Sequence, residues 1–379
     1  MDIPAMRANF GKAAAAGDEA PLFFYSHLFL SHPETRRMFP VSMMHQRDRL
    51  FRALGDVVAR VDDLEALVPI LAQLGRDHRK FGTLAAHYPA VGASLLATLQ
   101  HFDDEWNPDL AESWTTAYGL VAKVMIEAAE EASSQPAWWE AEVVAHERRT
   151  IDIAVLRLLP RTPLNYQPGQ SISLETDLRP RLWRYYSLAT APRPDGLLEI
   201  HAKARDGGPV SSALVRQVGV GDVLRLGPPM GDLVFDAGSD RDLLLVAGGT
   251  GLAPMKALID QVARHGPARR VELFVGARTE DLLYDRADLQ RLEQEHPWLT
   301  VTLAVSQDKR SSLEQGDIAD VVLRRGPWLS WYAYVAGPAA MVEDTVSRLD
   351  QHGVPRKRIR TEVFAPSRPG PSVDGKVTS

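Results

Sequence analysis

The chain has 379 residues, 45% of them hydrophobic and 24% charged, with a formal net charge of -6 and no cysteine. That length exceeds what one hydrophobic core usually serves, so two or three domains are expected. The charge gives no reason to expect nucleic acid or an anionic membrane surface as partner, and the lack of cysteine excludes disulfides, thiolate metal sites and a cysteine nucleophile. The start, Met1-Asp2-Ile3-Pro4, lacks the basic and apolar segments of a signal peptide. No stretch reaches the roughly 20 apolar residues that span a bilayer, so a cytoplasmic location is expected.

From about residue 21 to 132, apolar residues recur at helical spacing. Leu67, Ile70, Leu71, Leu74, His78 and Phe81 form one stripe, and Ala117, Tyr118, Val121, Val124, Met125 and Ala128 another. Prolines 33, 40, 69, 89 and 108 are expected at helix starts and turns, which gives an all-α domain over residues 1–132. Ser133-Ser134-Gln135-Pro136 reads as a linker. Short runs at 151–158, 170–174, 197–202 and 223–226, bounded by Pro and Gly, predict strands of a small antiparallel barrel over 138–236, with one helix at 209–218. From 242 the rhythm becomes strand, turn, helix: 243–247 into 253–264, 271–275 into 283–295, then 301–305, 332–335 and a helix at 339–351. That alternation predicts an α/β parallel-sheet domain over 237–366. The Pro-, Gly- and Ser-rich segment 367–379 is expected to be a disordered tail.

His78 lies on the buried stripe of its helix, where an imidazole needs partners for both ring nitrogens. A metal at one nitrogen and a backbone carbonyl at the other would serve; so would ordinary hydrogen bonding in a core. The surrounding residues narrow this. Phe23-Phe24-Tyr25-Ser26-His27-Leu28-Phe29, His32-Pro33-Glu34, Arg37-Met38-Phe39, Gln46-Arg47-Asp48-Arg49-Leu50-Phe51, Tyr88 ten residues after His78, and Trp114 with Ala117-Tyr118-Gly119 together resemble the globin domain of flavohaemoglobins. The resemblance implies a haem b iron ligated by His78, with Phe39 against the macrocycle, Tyr25 and Gln46 on the distal face, and Tyr88 on the proximal side. A phenol and an amide can both donate hydrogen bonds to bound dioxygen. Two positions depart from the family: the glutamate that partners Tyr88 is replaced by Ala129, and the lysine before the proximal histidine by Asp77, with Arg76 or Arg79 as alternative cations for a haem propionate. These changes bear on haem electronics and turnover more than on haem binding.

The same resemblance extends through the rest of the chain. Arg184-Tyr185-Tyr186-Ser187 is similar to the Arg-x-Tyr-Ser motif of ferredoxin-NADP reductase-like domains, where arginine meets the FAD pyrophosphate, tyrosine packs on the isoalloxazine and serine reaches its edge. Gly207-Gly208-Pro209-Val210-Ser211-Ser212 joins a flexible turn to a helix start, where free N–H groups attract phosphate. Ser171 stands where the family usually has an aromatic residue. Gly248-Gly249-Thr250-Gly251-Leu252-Ala253-Pro254 follows a strand and opens a helix, as a dinucleotide pyrophosphate requires. Arg278 ends the next strand near the adenosine ribose site and suits either a 2′-phosphate or solvent, so NADH and NADPH both remain open. Val335-Ala336-Gly337-Pro338 matches the family's Cys-Gly-Pro element with Ala336 replacing the cysteine, and Glu362-Val363-Phe364-Ala365-Pro366 resembles the terminal segment that contacts the flavin.

The expected protein is thus an oxidoreductase with three domains, a globin, an FAD barrel and an NAD(P) domain. Electrons would pass from NADH or NADPH through FAD to haem, and nitric oxide and dioxygen would become nitrate. Three alternatives stay open: another haem reaction such as peroxide or lipid-radical chemistry, a gas-binding or gas-sensing globin, and a plain NAD(P)H:flavin reductase. Small molecules are the expected partners, with no nucleic acid and no membrane.

Overall fold

Six helices form the first part of the chain: α1 (Ile3–Ala15), α2 (Glu19–Ser31), α3 (Met44–Ala59), α4 (Leu64–His78), α5 (Tyr88–His101) and α6 (Pro108–Glu131). Their starts follow capping chemistry. Asp2, Asp63 and Asn107 accept hydrogen bonds from Ala5, Ala66 and Leu110 backbone N–H groups at 3.0, 3.1 and 3.0 Å. The sequence pattern gives no sign of α1, because its buried residues, Met6, Asn9 and Ala13, make no apolar stripe. Polar bonds dock it instead: Asn9 donates to Asp103 at 2.7 Å and accepts from the Trp114 indole at 2.9 Å. Pro69, expected at a boundary, lies inside α4. The helix continues past it because Leu67 and Leu71 bury against Met125 of α6. The crossing is tight, since a Cβ at Gly75 would collide with the Met125 backbone carbonyl.

The structure, a computed structural model, describes residues 1–236, 238–265 and 269–364, without the side chains of Met44, His45, Asp48, Arg49 and His265. It divides into two units, Met1–Trp138 and Trp139–Ser379. The expected tail at 367–379 lies outside the described residues. No helix among the described residues is long and apolar enough to cross a membrane.

The second unit opens with β1 (Trp139–Arg148), β2 (Ile153–Pro160), β3 (Ser171–Thr176), β4 (Arg184–Ser187), β5 (Leu198–Lys203), α7 (Pro209–Arg216) and β6 (Val223–Leu226). The strands pair antiparallel in the order β4-β3-β6-β1-β2-β5. A bridge between Leu188 and Ile200 draws the two edges together, so the barrel is nearly closed. β1 is the longest of these strands yet was not legible as one, because Glu140 and Glu142 alternate with its buried Trp139, Ala141 and Val143 and the register shifts between Val143 and Ala145. Val210, Leu214 and Val215 of α7 complete the barrel core.

A parallel sheet follows: β7 (Leu243–Gly248), α8 (Leu252–His265), β8 (Val271–Ala277), α9 (Arg286–Glu295), β9 (Leu299–Val305), β10 (Glu314–Gln315), α10 (Ile318–Arg325), β11 (Tyr332–Pro338), α11 (Ala339–Gln351) and β12 (Ile359–Phe364). Its order is β10-β9-β8-β7-β11-β12, and apolar cores cover both faces. The chain runs from β7 toward β10 on one side and returns to β11 on the other. The carboxyl ends of β7 and β11 therefore flank the topological switch point, where such sheets bind ligands.

The α4–α6 crossing leaves no room for a methyl group. Gly75→Ala is expected to cost about 2 kcal/mol through overpacking, read as a lower urea midpoint in far-ultraviolet circular dichroism; an unchanged midpoint would show that the crossing relaxes freely.

Candidate functional site

His78 ends α4, and its Nδ1 lies 2.8 Å from the Leu74 carbonyl. A carbonyl only accepts, so Nδ1 carries the hydrogen, and in the neutral ring Nε2 keeps its lone pair. Among the described residues Nε2 has no hydrogen-bond partner. Burial pushes the His78 pKa down, with the Leu74 bond opposing, so the neutral, metal-ligating form is favoured. His78 is only partly buried, so the Nε2 lone pair is accessible and would be open to a haem iron. Phe81 meets the imidazole edge-on, with ring centroids 5.9 Å apart.

The other three globin candidates fall into two places. Tyr25 is buried in α2, with the Gln46 side chain of α3 near its hydroxyl. Burial raises the Tyr25 pKa well above its ordinary value, with Gln46 partly offsetting this, so the group remains a phenol. Phe39 stands edge-on to Tyr25 at 5.5 Å and to Phe29 at 5.4 Å. Arg36, not singled out from the sequence, holds this corner: Nη1 donates to the Phe39 and Pro40 carbonyls at 3.2 and 3.1 Å, and the guanidinium lies 5.3 Å from the Phe29 centroid. Tyr88 is half-buried against the cluster of Leu67, Leu71 and Met125, and burial raises its pKa. Its backbone carbonyl accepts from the Tyr118 hydroxyl at 2.6 Å, while its own hydroxyl has no hydrogen-bond partner among the described residues. Glu130 and Glu131 are exposed. Asp77 is buried and paired with Lys80 at 2.5 Å, and Arg76 and Arg79 bond Gln73 and the Gln135 carbonyl.

In the barrel, Arg184, Tyr186 and Ser187 face inward or lie at the surface margin, whereas Tyr185 is 49% exposed. Burial raises the Tyr186 pKa, and the charges of Arg184 and Arg205 oppose it. Arg205 was missed in the sequence because it stands two residues ahead of Gly207, outside the motif. Its backbone N–H donates to Ser211 Oγ at 3.2 Å, and Ser212 Oγ donates to its carbonyl at 3.4 Å, fixing the turn into α7. Gly207 takes φ +68° there, and a Cβ at Gly208 would lie 2.6 Å from Ser211 Oγ. The Val210 side chain belongs to the barrel core, so only its backbone at the helix start can meet a ligand. Ser171 is buried and donates to the Met230 carbonyl at 3.3 Å.

At the switch point each glycine has its own reason. Gly249 adopts φ +56°, and a Cβ at Gly251 would strike the Ala336 carbonyl of β11. Thr250 stays partly accessible, while Leu252, Ala253 and Pro254 are buried as the root of α8. Gly248 and Gly337 lie side by side, with the Gly248 carbonyl 3.0 Å from the Cβ position of Gly337. β12 pairs Glu362 with Ala336, Val363 with Gly337 and Phe364 with Pro338; Val363 is 46% exposed. Ala365 and Pro366 lie outside the described residues. Ser187 Oγ donates to Glu362 Oε2 at 2.8 Å, which joins the flavin motif to the terminal strand. Glu362, quoted in the sequence only as a neighbour of Phe364, is therefore a further member of the site.

Residues 22–125 match the family described as Globin, 140–235 the oxidoreductase FAD-binding domain, and 245–347 the oxidoreductase NAD-binding domain. A flavohemoprotein of Deinococcus radiodurans is 31% identical over 395 aligned residues, which cover 97% of this chain and 95% of that protein. The chain belongs to the flavohemoprotein family. A flavohemoprotein of Chromobacterium violaceum is 29% identical over 92% of the chain and 93% of its own length. Among solved structures, the fold is similar to a flavohemoglobin from Malassezia yamatoensis with bound FAD and heme, with a TM-score of 0.77 and 20% identity, over 96% of this chain and 98% of that one. The ferredoxin reductase in carbazole 1,9a-dioxygenase is similar over 60% of this chain and 69% of its own, at 33% identity and a TM-score of 0.56.

As a flavohemoprotein, the chain is an oxidoreductase with a haem-binding globin, an FAD barrel and an NAD-binding parallel-sheet domain. Its residues fit those groups. The free Nε2 of His78 suits an iron ligand, the two arginines whose charges act on Tyr186 suit a flavin and its pyrophosphate, and the Gly249 turn suits a dinucleotide.

Glu362 gives this site a pH dependence. Burial lifts its carboxyl from 4.5 to about 7, with the Ser187 bond opposing. The folded chain then holds a proton that the unfolded chain releases, so this contribution to stability is complete below 4.5 and is lost as pH rises through about 7. The stability of the FAD-free chain relative to its Glu362→Gln variant should fall across that window in paired urea titrations; a difference constant with pH would show that the carboxyl ionises normally.

Proposed function

We propose that this flavohemoprotein is an NAD(P)H-dependent nitric oxide dioxygenase. The reaction joins nitric oxide, dioxygen and one electron into nitrate. Oxidation of NADH or NADPH releases two electrons, so one nicotinamide supports two nitrates. When bound, haem supplies a gas site that accepts single electrons, and FAD divides the nicotinamide's electron pair into single electrons.

The observation that carries the reading is the buried Tyr25 phenol with Gln46 nearby, in a globin continuous with a reductase. A pre-oriented phenol stabilises negative charge developing on a gas ligand without reorganisation. His78 is the proposed iron ligand, oriented by Leu74, and Phe39 a wall held by Arg36. Arg184, Arg205 and the start of α7 would hold the FAD phosphates, Tyr186 would cover the ring, and Ser187 with Glu362 would meet its edge. The Gly248–Gly251 turn would receive the NAD(P)H pyrophosphate. A passive gas binder or sensor has no use for this second set.

One observation favours a second reading. The Tyr88 hydroxyl lacks a carboxylate partner among the described residues, with Ala129 at the family's glutamate position. A proximal side without that partner is compatible with peroxide or lipid-radical chemistry on the same haem.

His78→Ala separates the two halves of the proposal. It should abolish the haem Soret band and nitric oxide consumption, while NAD(P)H-dependent ferricyanide reduction stays within about two-fold, the reductase residues being untouched. Tyr25→Phe should keep the haem and slow nitric oxide consumption by about 10². Full nitric oxide turnover in either variant would contradict the assignment.

A further inference from the structure

A buried polar cluster joins the barrel to the parallel sheet within the second unit, apart from the flavin and phosphate motifs. On β5, His201 and Glu199 are 4% and 8% exposed. His201 Nδ1 lies 2.6 Å from the Tyr284 hydroxyl, which belongs to the sheet side, and Nε2 lies 3.1 Å from Glu199 Oε1. Arg157 of β2 donates to Glu199 Oε2 at 3.1 Å. From α8, Lys256 donates to Asp285 at 2.7 Å and lies 3.6 Å from Glu199. Arg149 reaches Asp288 of α9 at 3.0 Å.

The charge environment favours one direction for these bonds. Burial would raise the Glu199 pKa, but the His201 bond and the Lys256 and Arg157 charges hold it well below the usual carboxylate range. An ionised carboxylate only accepts, so Nε2 of His201 donates to it. Burial also lowers the His201 pKa, against the Glu199 bond, so the ring is neutral and its Nδ1 accepts. Tyr284, whose pKa burial raises well above the ordinary value, is therefore the donor. Tyr284 to His201 to Glu199 is a one-way chain from sheet to barrel, closed by Arg157.

Its sheet end belongs to a cleft. The cleft is narrow, about 10 Å³, and Tyr284 and Asp285 line it with Gly249, Leu252, Val275 and Gly276, so these two residues lie across a small gap from the glycine turn. Lys256 ties Asp285 to the helix rising from the turn. Apart from Glu362, the residues proposed to hold FAD belong to the barrel, and hydride transfer requires reacting atoms within about 3–3.5 Å. A fixed spacing between barrel and cleft wall is thus a requirement of the chemistry, and this chain is a buried, directional bond that sets it.

We propose that the Tyr284–His201 hydrogen bond is a latch that positions the nicotinamide against the flavin for hydride transfer. Tyr284 and His201 are positioning residues, and the inference rests on the cofactor reading above. In the step they serve, a C–H bond of the nicotinamide breaks, its hydrogen and electron pair pass to the flavin, and no other reactant is needed.

The test is anaerobic stopped-flow reduction of the FAD in the full chain, carrying haem and FAD, by NADH and by NADPH. Tyr284→Phe removes one hydroxyl, and His201→Gln keeps the Glu199 contact but loses the acceptor at the Nδ1 position. His201→Asn puts an acceptor oxygen at that position. Tyr284→Phe and His201→Gln should slow the limiting rate about ten-fold or more while the NAD(P)H saturation constant changes little, and His201→Asn should restore most of the rate. Equal rates in all variants would overturn the latch. So would equal slowing in all three together with lower melting temperatures, which would mark a structural weld alone. If neither nucleotide reduces the flavin of the unmodified chain, the cofactor reading falls first and the latch with it.

Discussion

The imidazole of His78 stays within the helical unit because the Leu74 carbonyl takes its Nδ1 hydrogen at 2.8 Å. That bond fixes the tautomer, and the tautomer leaves Nε2 with a lone pair and nothing among the described residues to use it. Much of the helical architecture serves this arrangement. Gly75 lets α4 approach α6 closely enough to bury Leu67 and Leu71, which carries the helix past Pro69. Arg36 fixes the corner that brings Phe39 against Tyr25. That accessible lone pair is what the proposed haem iron would use.

The reductase follows a different physical rule, that backbone must approach phosphate closely. Positive φ at Gly249 and the collision awaiting any Cβ at Gly251 leave glycine as the residue for that turn. The switch point places the turn beside Gly337, and β12 brings Glu362 to Ser187. Binding of each cofactor is thus local to a few residues, whereas their mutual placement depends on contacts between barrel and sheet. Buried ion pairs are a poor source of stability because desolvation offsets their attraction, but they define geometry well. The Glu199, His201, Lys256 and Asp285 cluster fits that second role.

The sequence made the three-part architecture legible because each part has its own period: helical stripes, short turn-bounded runs, then alternating strand and helix. His78, Tyr25 and Gln46 point to a haem pocket only together, since each alone suits an ordinary core or surface position. What stayed hidden had no local pattern. α1 docks through Asn9 and small residues, β1 hides its alternation behind Glu140, Glu142 and a register shift, and Arg205 lies outside its neighbouring motif. Glu362 acquires meaning from Ser187, 175 positions earlier in the chain, and His201 from Tyr284, 83 positions later. Such pairings exist only once the sheet and barrel have folded.

The central claim is that electrons from a nicotinamide end in nitrate. Its most direct test measures nitrate formed against nicotinamide oxidised, with the unmodified chain loaded with haem and FAD, in air, given nitric oxide and NADH or NADPH in parallel. Two nitrates per nicotinamide, formed far faster than without protein, are the predicted result. Nicotinamide oxidation without nitrate, while haem and flavin spectra stay intact, would contradict the account and direct attention to the peroxide or lipid-radical reading that Tyr88 leaves open.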